Sequence, residues 1–153
     1  MNTLLANMKA ALIADSTLSA YLGSSVEICK WDPDALPDFD KYCVVLSPEN
    51  ESEEPAGILG VEKTFSVLLV CLVRNYGLPD SLTGTTAPAS VGVQKLAEDV
   101  RVCLRNNTLS GAVIADNNPV SSTPQIGRAI EATEHVMAAR LNYTGRRRVQ
   151  VNV

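Results

Sequence analysis

Nucleophilic or metal chemistry in this 153-residue chain would fall to one histidine, His135, and four cysteines, Cys29, Cys43, Cys71 and Cys103. A single histidine excludes a His-rich metal cluster. The intervals of 14, 28 and 32 residues between successive cysteines are unlike a zinc finger or ribbon. The thiols fall on apolar faces of the expected elements, so free, buried cysteines are predicted rather than ligands or disulfides. A Cys–His nucleophile pair would need a third orienting group and a nucleophile-bearing glycine turn, and no such turn is present. Phosphate cradles are missing as well. The chain has no G-x-x-x-x-G-K-[ST], and neither Gly57 with Gly60 nor Gly84 makes a dinucleotide fingerprint. No cofactor is expected.

Paired carboxylates do occur: Asp32 with Asp34, Asp38 with Asp40, and the run Glu49, Glu51, Glu53 and Glu54. They stand among prolines, where solvation is expected, and a raised acid pKa needs burial or close like charges. A calcium loop fails on its glycine and its closing glutamate. The chain therefore reads as a non-enzyme whose informative feature is charge placement. Residues 1 to 76 hold eleven acids and five bases, whereas residues 77 to 153 hold six acids and eight bases. Arg146, Arg147 and Arg148, with Arg140 upstream, mark the basic extreme, and Glu49 to Glu54 the acidic one. Three readings stay open: two solvated faces, phosphate binding by the arginine triplet, or a head-to-tail ring in which the basic segment of one subunit meets the acidic loop of the next. Under the ring reading, reversing Arg146 and Arg147 to Glu weakens closure with little loss of monomer stability.

The elements that must position these residues follow from periodicity. Leu5, Met8 and Leu12 make one stripe of an opening helix capped by Thr3. A second short helix uses Asp15, Ser16 and Thr17 as cap chemistry, and Gly23 takes the left-handed position after it. Strands are predicted at Val26 to Trp31 and Tyr42 to Ser47, separated by an exposed, proline-bearing loop from Asp32 to Lys41. Pro48 to Gly60 is predicted as an acidic loop. The run EKTFSVLLVCLVR from Glu62 to Arg74 is the central-strand candidate, apolar on both faces at its middle. Asn75 to Ser90 reads as a long loop, and its part from Asn75 to Pro88 is a candidate contact surface. Val93, Leu96, Ala97, Val100, Cys103 and Leu104 give the main amphipathic helix within Val91 to Arg105. One short strand is allowed at Ala112 to Ala115. Residues 134 to 144 read as strand rather than helix, followed by a turn at Gly145 and a last strand carrying Val149, Val151 and Val153.

The expected fold class is α+β. It is a two-layer domain, with a mixed or mostly antiparallel sheet of four to six strands packed against one main helix plus N-terminal helices. Residues 1 to 153 suit one domain at roughly 100 to 200 residues per domain. A net charge of -4 and a pI near 5.0 disfavour a surface that grips nucleic acid throughout. No apolar run is long enough to span a bilayer, so no membrane partner is expected, and the chain reads as cytosolic when made.

The opening L-x-x-M-K-A-A-L-I-A-D followed by L-x-A-Y-L-G, the early strand, the Pro-rich acidic passage, the long strand at Thr64 to Val73, the helix at Ser90 to Arg105 and the closing Leu141-Asn142-Tyr143 form an ordered series. That series resembles the tail terminator, or tail completion, proteins of long-tailed bacteriophages. The resemblance is one of element order and length across nearly the whole chain. It implies a homo-oligomeric ring, commonly of six, at the head-proximal end of the tail tube. Such a ring stops tube polymerisation and offers a docking surface to a neck or head-completion protein. DNA would pass through its lumen without sequence-specific binding, with loop carboxylates near the bore or at subunit contacts. The location implied is the tail–neck junction of the virion, with assembly in the host cytoplasm. Two alternatives stand beside it: a neck or head-completion protein of the same virion, and a small cytosolic ligand-binding α+β protein, which would need a concave polar site.

Overall fold

The computed structural model describes residues 1–74, 85–86, 90–105, 107, 109, 125–128 and 136–150. Helix α1 (Asn2–Ala14) buries Leu4, Leu5, Met8 and Leu12 on one side, the stripe that the spacing predicts with Leu4 added. It begins two residues earlier than expected: Met1, not Thr3, is the N-terminal cap, and no side chain caps it. Helix α2 (Ser16–Ser19) starts on Asp15, whose Oδ1 accepts hydrogen bonds from the backbone N–H of Thr17 at 2.9 Å and of Leu18 at 3.0 Å. Gly23 follows at φ +61°, the left-handed conformation that favours glycine.

The sheet has five strands in the order β1-β2-β3-β7-β6. Strand β1 (Val26–Ile28) lies parallel to β2 (Tyr42–Pro55), and β3 (Gly60–Arg74) runs antiparallel to β2. A two-stranded hairpin of β4 (Thr85–Thr86) and β5 (Ser90–Val91) precedes helix α3 (Val93–Leu104). Strand β6 (Gln125–Arg128) and strand β7 (Val136–Gln150) complete the sheet, and both of β7's neighbours run antiparallel to it. The class is α+β, with a mixed sheet under three helices.

Strand β3 sits at the middle because its sequence can be buried on both sides. Leu69 to Val73 are all at 0% exposure. On one face, Val67, Leu69, Cys71 and Val73 pack with the stripes of α1 and α3 into the larger core cluster. On the other, Val70 and Leu72 join Cys43, Val45, Val136 and Ala138 beneath Trp31, Leu36 and Phe39. The passage from Asp32 to Lys41 is therefore not simply an exposed loop. Its Phe39 is buried and lies under the Arg74 guanidinium, 4.6 Å from the ring centroid. A continuous apolar sheet face must be covered, and here a loop covers it.

Two expectations fail at the end of the sheet away from this core. The predicted acidic loop is strand: β2 continues through Glu49 to Glu54 and ends at Pro55. The predicted turn at Gly145 is strand too, because β7 stays in register with β3 from Val136 to Gln150 without a break. The cause is shared. Strand β3 is 15 residues long and pairs along its whole length on both sides, so its backbone recruits polar segments that have little strand preference of their own. The strand expected at Val26 to Trp31 stops at Ile28, because Trp31 already bends onto the second face. The predicted strand at Ala112 to Ala115, His135 and Val151 to Val153 lie outside the described residues, as does most of the passage from Asn75 to Pro88.

Candidate functional site

Beyond the core, β2, β3 and β7 extend as a three-stranded arm. Its register runs Asn50↔Ser66↔Thr144 at the base and Pro55↔Val61↔Val149 near the tip. A bulge between Pro48 and Asn50 leaves Glu49 without a partner on β3 and marks where the arm begins. Six residues of strand rise about 20 Å. The tip is a tight connection in which Ala56 N–H donates to the Gly60 carbonyl at 2.9 Å, and Gly57 takes φ +81°. It carries Ile58, fully exposed at 100%, and Leu59 at 54%.

Side chains alternate between the two faces of the arm, and the charges sort accordingly. On the face continuous with the helices stand Glu51, Glu53, Lys63 and Arg147. Lys63 on the central strand holds the outer strand's acids: its Nζ is 2.9 Å from Glu53 and 3.9 Å from Glu51. The hydrogen bond and charge of Glu53 raise the Lys63 pKa above its ordinary value. The N-terminal ammonium of Met1 reaches Glu51 at 3.5 Å, tying helix α1 to the arm's base. On the opposite face Glu62 receives the arginines of β7, Arg146 at 3.5 Å and Arg148 at 3.3 Å. Exposed ion pairs add little to stability, so these contacts align strands rather than hold the fold.

The structure thus brings together seven of the eight interaction residues singled out from sequence. Glu49, Glu51, Glu53 and Glu54 lie on the outer strand β2, and Arg146, Arg147 and Arg148 on the outer strand β7, with β3 between them. Arg140 does not join them. It is on the same face as Arg146 and Arg148, but six residues back along β7, about 20 Å away beside Val70 and Gln125. Both charged sets lie on strands, whereas the sequence predicts a loop for the acids and a turn at Gly145 before the arginines. The central-strand charges Glu62 and Lys63 and the apolar tip Ile58-Leu59 escaped sequence reasoning. The signal for the tip is an apolar pair between Gly57 and Gly60, where a turn leaves nothing for it to pack against.

A recess of about 250 Å³ lies where the arm meets α1, lined by Met1, Leu4, Glu51, Lys63, Phe65 and Arg147 among others. Its charges are matched across the strands and its floor is apolar. Among the described residues, no group of three or more His, Cys, Asp or Glu side chains is placed to hold a metal ion. The cysteines are free, with Cys43 and Cys71 buried and Cys103 half-buried, but Cys29 is exposed, against the expectation of four buried thiols. Burial pushes the Cys43 thiol up to about 11 and Cys103 up to about 12, Asp15 adding to the latter. No helix is long and apolar enough to cross a membrane among the described residues. Compared with known proteins, the sequence matches no protein-family model and no curated protein.

Proposed function

We propose that this chain is a ring-forming joining protein of a long-tailed phage virion, acting as the tail terminator at the head-proximal end of the tail tube. The observation that carries the reading is the arm, with an acidic outer strand, a basic outer strand and an exposed apolar tip in one projection. Such a projection suits contacts with other subunits better than it suits a small molecule, which needs a concave site with converging polar groups. The order and length of the elements support the same reading.

On this reading the function is binding without bond-making. Copies of the chain close into a homo-oligomeric ring, commonly of six. One face meets the last layer of tail tube protein and stops its growth, and the other docks to a neck or head-completion protein. DNA passes through the lumen without sequence-specific contact, and acidic side chains facing that lumen would repel phosphates. The test is to add the purified protein to polymerising tube protein. The expected result is tubes of arrested length bearing a ring at one end, with the mass of the free ring measured by light scattering. A ring that binds purified neck protein but leaves tube growth unchanged would move the assignment to the neck, and a chain that binds neither would reject both positions.

A further inference from the structure

The arm has two outer strands, and each is bare along its outer edge among the described residues. Strand β1 pairs with β2 only from Val44 to Leu46, so no strand among the described residues is bonded to the outer side of Glu49–Pro55. Strand β6 pairs with β7 only from Met137 to Arg140, which leaves the outer side of Arg147 to Gln150 without a strand among the described residues. Bare edges template further pairing, and proteins usually guard them with charge. Here the guard has one sign per edge. The β2 edge carries Glu49, Glu51, Glu53 and Glu54 and no base, and the β7 edge carries Arg146, Arg147 and Arg148 and no acid. That pattern blocks some pairings and invites one other.

A two-fold pairing of β2 with β2, or of β7 with β7, would set like charges opposite each other, which opposes association. Pairing β2 of one copy with β7 of the next sets four carboxylates against three guanidinium groups. We infer that the arm's acidic β2 edge and basic β7 edge join neighbouring copies of this chain strand to strand, building a continuous intersubunit sheet. The strand direction follows from the topology. Both outer strands run antiparallel to β3 and hence parallel to each other. A neighbour generated by rotation about an axis along the strands keeps that direction, so the new pair is parallel. The contact is head-to-tail, and such contacts close into a ring when the rotation closes. Closure rests on the ring reading proposed above, whereas the contact itself rests on the arm alone.

The in-chain ion pairs leave enough charge for this. Among the described residues Glu49, Glu54 and Arg147 make no ion pair, and Arg148 is three-quarters exposed beside Glu62. The test uses two full-length variants, Glu49→Lys/Glu54→Lys and Arg147→Glu/Arg148→Glu. All four positions are exposed, so thermal melting close to that of the unaltered chain confirms that each variant folds. Light scattering at low salt is expected to show the unaltered chain associated and each variant alone weakened at least about tenfold. Mixing the two variants is expected to restore association, because the unaltered basic β7 edge of one then meets the unaltered acidic β2 edge of the other, and the two reversed edges also carry opposite charge. Hydrogen exchange on the unaltered chain adds a readout of backbone pairing: amides in Asn50–Glu54 and Arg147–Gln150 slow on association. Three results would overturn the inference: an unaltered chain that stays monomeric, variants whose mixture stays dissociated, or association without slowed edge amides. A ring that forms through these edges yet leaves tube growth unchanged rejects the terminator reading and keeps this one. A capping ring with unslowed edge amides does the reverse.

Discussion

Tyr21 shows how single side chains knit the helical layer to the sheet. Its hydroxyl donates to Asp99 Oδ2 at 2.6 Å, the same oxygen that accepts from Lys95 Nζ at 2.8 Å, and its ring meets Tyr42 edge-on at 5.3 Å. Tyr42 in turn accepts from the Val91 N–H at 3.1 Å, just before α3 begins. Burial, then the bond to Asp99, raises the Tyr21 pKa well above the ordinary tyrosine range. Tyr21→Phe removes one hydrogen bond and keeps the ring, so urea denaturation is expected to show a loss of about 0.5 to 1.5 kcal/mol. The thiols make a pH prediction. Cys43 holds its proton in the folded chain to about pH 11 and Cys103 to about pH 12, against a reference value of 9.0. The unfolded chain therefore binds fewer protons across that window, and stability falls as pH rises from 9 towards 12, while below 9 this contribution is complete. Thermal melts of Cys43→Ser/Cys103→Ser, normalised to neutral pH, are expected to fall less steeply over the same window.

At the scale of elements, the distinction is between those shaped by their own sequence and those shaped by a neighbour. Helix α3 belongs to the first kind: Val93, Leu96, Ala97, Val100 and Leu104 fall on one stripe, and all five are buried. The far half of β2 belongs to the second. Glu49 to Glu54 read as loop because nothing in that stretch alternates, and only pairing to Val61–Ser66 of β3 makes it strand. Gly145 is similar, since its local turn preference yields to a neighbouring register that continues on both sides. The tip holds the arm's geometry. A Cβ built at Gly60 would clash with the Ala56 carbonyl oxygen, a backbone atom that cannot move aside without opening the turn. Gly60→Ala is expected to destabilise by about 1 to 3 kcal/mol. Hydrogen exchange should place the effect in the arm amides rather than in α1 or α3.

For the whole molecule, the core and the arm divide the work. The core buries both faces of β3 and carries the stability, and the arm presents charge and an apolar tip on strands that continue out of that core. Ile58 and Leu59 form the most exposed apolar group among the described residues. The double change Ile58→Ser/Leu59→Ser touches no core contact, so its melting temperature is expected to stay within about 2 °C of the unaltered chain. On the proposed function it should lose the contact with tube or neck protein while self-association persists. Salt separates the two surfaces. Screening shortens from about 10 Å at 0.1 M to about 3 Å at 1 M, so edge-to-edge association should weaken across that range while tip binding changes little.

The amino-acid sequence by itself determined the class of fold, the helices and the central strand, because apolar spacing is a local record of which face is buried. It also determined that acids and bases are segregated along the chain. Only the tertiary structure decided that Glu49–Glu54 and Arg146–Arg148 end as the two outer strands of one arm, about 95 residues apart in sequence and separated by a single strand in space. Register is a property of a pair of segments. No reading of either segment alone could place Lys63 against Glu53 or Glu62 against Arg148, since each of those contacts exists only once β3 has aligned both neighbours along its length.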